Sequence, residues 1–338
     1  MRCSIRSRGN SAPKSSPVAS GEDSLIARYF RPIATDVGAF NLDDDAAIIA
    51  PSGEDIVVTT DAIVEGVHFL TDDPPDTVAK KALRVNLSDL AAKGAQPVGY
   101  LMALSIPARV TMDWLRAFAL GLHEDQAEFG ISLLGGDTTA TPGPISIAIS
   151  AFGHLPKGTM LRRSKAKPGD IVFVTGTVGD AAGGLAILKG EGANLAPEHR
   201  DHLVGRYRVP QPRVDIGPRL RDIASASIDV SDGLLADLGH IAERSGVRIT
   251  VDAGRIPTST ALRALFGAET AQRAAVAGDD YEIAFTAPIE GRAAIRDLAA
   301  ATSIAITEIG RVEAGEGVAL LGSDGKEIHL PRKGFTHF

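Results

Sequence analysis

The feature that most constrains this 338-residue chain is a repeated pairing of apolar runs with aspartate. Asp44 and Asp45 precede the run 46–50, and Asp61 ends the β-branched stretch VVTT. Asp137 follows Leu134-Gly135-Gly136, and Asp229 and Asp232 bracket the end of SIDVSDG. Asp89 lies in the helix-like segment NLSDLAAKGA. A short carboxylate beside a segment that must be buried lies at the edge of the core, not on a fully solvated face. Any one of these acids alone reads as a cap or a turn. Asp232 before Gly233-Leu234-Leu235 and Asp137 near Thr138-Thr139 fit helix N-caps, and Asp43-Asp44-Asp45 fits a solvated turn. Six that adjoin strand ends suit a shared site better, because loops at one end of a sheet converge there.

Convergent carboxylates repel one another unless positive charge lies between them. Oxygen donors select hard cations, and Mg2+ is typically held by one or two carboxylates plus substrate phosphates. Thr59 and Thr60 add neutral oxygens beside Asp61. With one cysteine, Cys3, and few histidines, zinc and copper are poor candidates. Ca2+ stays open, although the EF-hand loop pattern is absent. The sequence also lacks GxxxxGK[ST], GxGxxG, HRDxxxxN and DFG. Gly135-Gly136-Asp137 and GTVGDAAGG (176–184) are glycine-rich turns that can bring backbone N–H groups to phosphate, or simply turn the chain.

Strand and helix patterns alternate along the chain, which predicts an α/β or α+β protein. Leu25, Ile26, Tyr29 and Phe30 recur at helical spacing from about residue 20 to Pro32. Strands are expected at 55–61, 100–106, 131–134, 145–152, 170–175, 226–230, 247–251 and 281–285. Helices are expected from Pro74-Pro75 to about Ala92 with Gly94 closing, from Thr111 as cap to Phe129, at 180–189 and at 232–245. The segment GHLPKG (153–158) reads as a connection between halves. This gives a tail over 1–20, an N-terminal domain over 21–153 and a C-terminal α/β domain over 154–338.

Composition bounds the function class. Hydrophobic residues make up 44% and charged residues 23%, as in an ordinary globular protein. The net charge of −7 argues against nucleic acid as a main partner. No apolar run approaches the roughly 18 residues of a membrane helix. A single cysteine excludes an intrachain disulfide, and a cytoplasmic location is expected. Residues 1–20 are Ser/Pro-rich and basic with no apolar core, so they read as a disordered extension or an upstream start, with a transit peptide as the alternative.

The motifs together resemble the thiamine-monophosphate kinases, of the aminoimidazole-ribonucleotide-synthetase-like superfamily. The matching segments are DDAAII (44–49), VVTTDAIVEGVHF (57–69), VNLSDLAAKGA (85–95), LGGDTT (134–139), RRSKAKPGD (162–170), IDVSDGLLADL (228–238), GDDYEIAF (278–285) and GFTHF (334–338). VEGVHF, SDGL and the terminal aromatic-x-His-Phe carry the most specificity. The resemblance implies transfer of the ATP γ-phosphoryl group to thiamine monophosphate, with Mg2+, giving thiamine diphosphate. It implies the two-domain superfamily fold and a homodimer whose N-terminal sheets pair across a two-fold axis. Carried over by motif, the Mg2+ ligands are Asp44, Thr59, Thr60, Asp61, Asp89, Asp137, Asp229 and Asp232. Of these, Asp44, Asp61, Asp137 and Asp229 carry the catalytic role. ATP contacts Gly136, Asp137, Arg163 and Ser231, and thiamine phosphate lies near His68, Asp279 and Phe335. Four positions depart from the family pattern: Asp43 for glycine, Asp279 for glutamate, Ala119 for tyrosine and Lys93 for methionine.

The chemistry suits these residues. A phosphate monoester is mostly a dianion at pH 7, so the acceptor is already a nucleophile and needs no general base. No His or Lys stands out as one within the acidic set. The hard part is bringing two polyanions together and stabilising charge on the transferring group. Arg163 with Lys165 or Lys167 either touches phosphate or forms a solvated basic turn. His68 and Phe335 read as structural from the residues alone, and as ligand contacts through the resemblance. Competing readings are superfamily relatives: an aminoimidazole ribonucleotide synthetase, a selenophosphate synthetase, or a hydrogenase-maturation type. The latter two want a reactive cysteine in the body or at the C-terminus. A non-catalytic nucleotide-binding module is the reading from a different class.

Overall fold

The computed structural model describes residues 40, 43–44, 47–49 and 53–336. The expected tail, the helix before Pro32, Asp45 and the final His-Phe of GFTHF lie outside the described residues. The first sheet contains β1 (Ala47–Ile49), β2 (Glu54–Val64), β3 (Gln96–Ile106), β4 (Ser132–Ala140) and β5 (Ser146–Pro156), in the order β1-β2-β5-β3-β4. Only the β3–β4 pair of this sheet is parallel. Helices α1 (Pro75–Ala92) and α2 (Met112–Phe129) pack with it. Thr111 caps α2 as expected, its hydroxyl accepting from Trp114 N.

The second sheet contains β6 (Ile171–Thr175), β7 (Ala226–Asp229), β8 (Arg248–Asp252), β9 (Ile283–Ala287), β10 (Ile306–Glu313) and β11 (Gly317–Leu321), in the order β11-β8-β10-β6-β9-β7. Seven helices accompany it: α3 (Asp180–Leu188), α4 (Pro197–Arg208), α5 (Gly217–Leu220), α6 (Leu234–Ser245), α7 (Thr260–Phe266), α8 (Thr270–Val276) and α9 (Arg292–Thr302). Both sheets are mixed, each with one parallel pair among antiparallel ones.

Helix α1 is the spine between the two halves. Fourteen of its eighteen residues are buried, including Lys81, Arg84, Asn86, Ser88 and Asp89. A helix with water on one side would not bury charge at every turn; this one has protein on both. One flank packs on β2 and β5, while Lys81 and Ser88, seven residues apart and so on one face, reach partners in the second half. Gly217 at the start of α5 fits against this helix because a Cβ there would stand 2.0 Å from the Ala91 carbonyl oxygen.

Several expected boundaries shift. Asp61 does not end its strand: β2 continues to Val64. Asp137 caps no helix, because LGGDTT lies inside β4. Gly136 is glycine there for packing reasons, since a Cβ would sit 1.9 Å from Met102 O on β3. Gly153, His154, Leu155 and Pro156 pair with β2 and β3, so four of the six residues of GHLPKG are sheet and not connection. Asp232 is not the cap of α6. Gly233 occupies that place, and the Asp237 carboxylate reaches back to the N–H groups of Ser231, Asp232 and Gly233 at 3.1, 3.2 and 3.0 Å.

Candidate active site

Between the halves lies a cavity of about 880 Å3. Strand β2 supplies one wall. Asp55, Val57, Thr59 and Ile63 are buried in alternation, and Asp61 falls in the same phase yet is exposed. A position that should face the core faces the cavity instead, which puts a carboxylate on its wall. Thr60 points to the other side of the strand, donating to Ile149 O at 3.1 Å and accepting from Ser150 at 3.0 Å. Helix α1 supplies the floor. Asn86 fixes the strand against it by accepting from Asp61 N at 3.0 Å. Thr59 donates its hydroxyl hydrogen to Asp89, and Ser88 donates to Asp229 Oδ2 at 2.7 Å.

The electrostatics here are unfavourable for bare protein. Burial pushes the Asp89 carboxyl well above the usual carboxylate range, and the charges of Asp229 and Asp61 push it further. Burial also raises Asp229. Asp237 is raised well, by burial and then by Asp232 and Asp229. Asp44 enters from the other side, 2.7 Å from the Lys93 ammonium and accepting from Arg163 N at 3.3 Å. Burial lowers the pKa of the Arg163 guanidinium, while Asp44, Asp237 and Asp229 oppose that shift. Every donor in the set Asp44, Thr59, Asp61, Asp89 and Asp229 is oxygen, and the carboxylates of Asp61, Asp89 and Asp229 lie close enough to raise one another's cost of ionisation. That donor set fits hard divalent ions.

Next to the acids the cavity wall is aromatic. Tyr207, Tyr281 and Phe335 line it together with Val67 and His68. His68 Nδ1 accepts from Val64 N at 3.0 Å, so the neutral ring carries its proton on Nε2. Asp279 and Tyr281 both have left-handed backbones, at φ 68° and 52°. The Asp279 carboxylate is gripped at both oxygens, by Lys81 Nζ at 2.9 Å and Tyr281 hydroxyl at 3.3 Å. The C-terminal segment closes this part of the wall. Phe335 N donates to Asp232 O at 2.9 Å, and Gly334 lies where a Cβ would meet Ala236 Cβ at 2.5 Å.

Of the residues singled out from sequence, Asp44, Thr59, Thr60, Asp61, His68, Asp89, Arg163, Asp229, Ser231, Asp232, Asp279 and Phe335 all line this one cavity. Gly136 and Asp137 do not. The sheet register puts Asp137 in the row of Ala62, three strands away through Ala148 and Ala103. At the usual strand spacing that is about 14 Å, too far to share an ion with Asp61.

Sequence reasoning missed Lys81. Its side chain is 2% exposed, donates to His68 O at 2.9 Å as well as to Asp279, and sits 4.1 Å from the Tyr207 ring centre. The available signal was a lysine seven residues before Ser88 on the buried face of a helix. Tyr207 gave no signal, because α4 has no apolar periodicity to reveal which side is inward.

Comparison with known proteins shows the family and the fold. Residues 43–155 match the model of the AIR synthase related protein N-terminal domain, and residues 167–322 match that of the C-terminal domain. Thiamine-monophosphate kinase of Caulobacter vibrioides is 42% identical, over 96% of this chain and 93% of its own. The Escherichia coli K12 enzyme of the same name is 41% identical, over 95% and 99%. Among solved structures, AaThiL complexed with AMPPCP and TMP superposes with a TM-score of 0.83 at 33% identity, covering 94% of this chain and 97% of that one. A HypE–HypF complex at 20% identity and TM-score 0.73 shares the fold. The chain belongs to the thiamine-monophosphate kinases, within the AIR synthase related family.

Proposed function

We propose that this chain transfers the γ-phosphoryl group of ATP to the phosphate of thiamine monophosphate, and that the acid-lined part of the cavity holds the Mg2+ that makes the encounter possible. The observation that carries this reading is one cavity whose wall combines clustered carboxylates with aromatic rings and a polar grip. Mg2+ there would neutralise the phosphates and the charge that develops on the transferring group.

The chain's own residues divide the remaining work. Asp61, Asp89 and Asp229 hold the ions, with Thr59 and Ser88 fixing the two buried carboxylates. Arg163 and Ser231 face the nucleotide phosphates. Phe335 and the two tyrosines offer flat surfaces for the heterocycles, while Asp279 and the Nε2–H of His68 supply polar contacts. No side chain acts as general base, because the acceptor phosphate arrives already ionised.

Gly136 and Asp137 enter through a second copy. Every residue of β4 is exposed, and this edge strand carries Leu133 and Leu134 beside exposed Val98 and Leu101 of β3. An edge of this length with apolar side chains is a ready pairing surface. In a homodimer closed along it, Asp137 of one copy serves the cavity of the other. No helix among the described residues is long and apolar enough to cross a membrane, and a cytoplasmic setting goes with a reaction that consumes ATP.

The test is an assay of purified protein with ATP, Mg2+ and thiamine monophosphate, the product identified by mass. Thiamine diphosphate formed only with Mg2+ supports the reading; ATP consumption without it, or transfer to water alone, refutes it.

A further inference from the structure

Lys93 is the most unusual charge in the molecule. Its side chain has 0% exposure and lies at the end of α1, with the ammonium 2.7 Å from Asp44 Oδ1 and 3.2 Å from Ser227 O. Its positive charge acts on Asp89 and on Asp229 as well. A buried ammonium is costly unless it is paired, and this one is paired with the acids that face the cavity. Unlike an exchangeable ion it is tethered, so it stays when metal leaves.

We propose that Lys93 is a resident cation of the acid cluster, standing in for one divalent ion beside Asp44 and holding the cluster together when no metal is bound. Two consequences follow from Coulomb's law. The chain loses part of its dependence on metal for stability, because one acid is already neutralised. It also binds divalent ions more weakly than the same chain without that charge, because an entering ion meets a fixed positive charge and must share Asp44 with it. The assignment rests on the proposed role of the cluster in holding divalent ions.

Two substitutions separate charge from shape. Lys93→Met keeps the length without charge, and Lys93→Gln keeps a donor without charge. The measurements are calorimetric titration of the full-length protein with Mn2+ in the absence of nucleotide, and thermal melting in EDTA and in Mg2+. Both variants are expected to bind Mn2+ about threefold to tenfold more tightly than wild type. Both are expected to melt below wild type in EDTA, with at least about half of the deficit recovered at saturating Mg2+. Mn2+ affinity equal to or weaker than wild type in either variant overturns the assignment. So does a melting deficit that Mg2+ leaves untouched, including a variant that fails to fold in both conditions. A wild-type protein that takes up no Mn2+ overturns the metal reading of the cluster itself, whereas wild-type uptake with unaltered variants overturns Lys93 alone.

Discussion

Two sets of buried carboxylates, one between the two halves and one inside the second, are treated oppositely by the chain. Glu282 is fully buried and saturated by its own neighbours. It accepts from Thr175 at 2.6 Å, from Arg206 at 2.9 Å and from Arg213 through two nitrogens, Nε at 2.6 Å. Asp89 and Asp229 are equally deep but receive one hydroxyl each, and Asp61 adds a third acid nearby. The Glu282 cluster is a closed ion network that ties β9 to α4 and to β6. The aspartate cluster is left short of positive charge where it meets the cavity. A fold able to supply two guanidinium groups to one carboxylate has the means to neutralise the others. Leaving them open is what a site for exchangeable cations needs.

The largest expected effect lies on the open side. Asp61→Asn removes a cavity carboxylate without touching the core. Transfer should fall by about a thousandfold or more, with melting temperature in EDTA equal to or above wild type, because the Asp61 charge bears on buried Asp89. Wild-type turnover in that variant would end the claim that Asp61 holds metal.

The next effect sharpens the contrast through stability. Glu282→Gln leaves two partly buried guanidinium groups short of their counter-charge and should cost about 3 kcal/mol. Asp89→Asn should do the reverse and raise the melting temperature in EDTA. The sign follows from the raised pKa of Asp89. Its folded form prefers the proton, so stability is fully present at low pH and falls as pH rises toward that pKa; a neutral amide removes the penalty. Saturating Mg2+ should shrink the gain. Equal losses from both substitutions, read by thermal melting, would erase the distinction between the two clusters.

The smallest effect concerns the aromatic part of the wall. Phe335→Ala should weaken thiamine monophosphate binding by about tenfold while leaving ATP binding nearly unchanged. Equal loss of both ligands in calorimetry would remove the stacking role.

Much of this was legible in the sequence. The paired prolines and Gly94 bound α1, Thr111 capped α2, and acids beside apolar runs marked one wall of a single cavity. The failures have physical causes. Asp61 reads as the end of a strand because a carboxylate normally signals solvent; here the sheet continues and the solvent is a cavity. Asp232 reads as a cap because caps are short-range patterns, but Gly233 takes the cap place and Asp237 inside the first turn reaches back to the N–H groups of Ser231, Asp232 and Gly233. Asp137 reads as part of one cluster because the sequence gives motif order and not strand register. The order β2-β5-β3-β4 separates it from Asp61 by the width of the sheet. Nothing in the sequence marks Lys81 or Lys93 as buried, since burial of a charge is fixed by what packs from the other half.

The central claim is that Asp61, Asp89 and Asp229 gather divalent ions so that two phosphates can meet. Its most direct test is a crystal structure of the protein with Mn2+, a non-hydrolysable ATP analogue and thiamine monophosphate, the ions located by anomalous scattering. The account predicts Mn2+ at roughly 2.0–2.3 Å from oxygens of these aspartates and bridging to the nucleotide phosphates. Both phosphates bound in the cavity with no ion on any of the three carboxylates would contradict it.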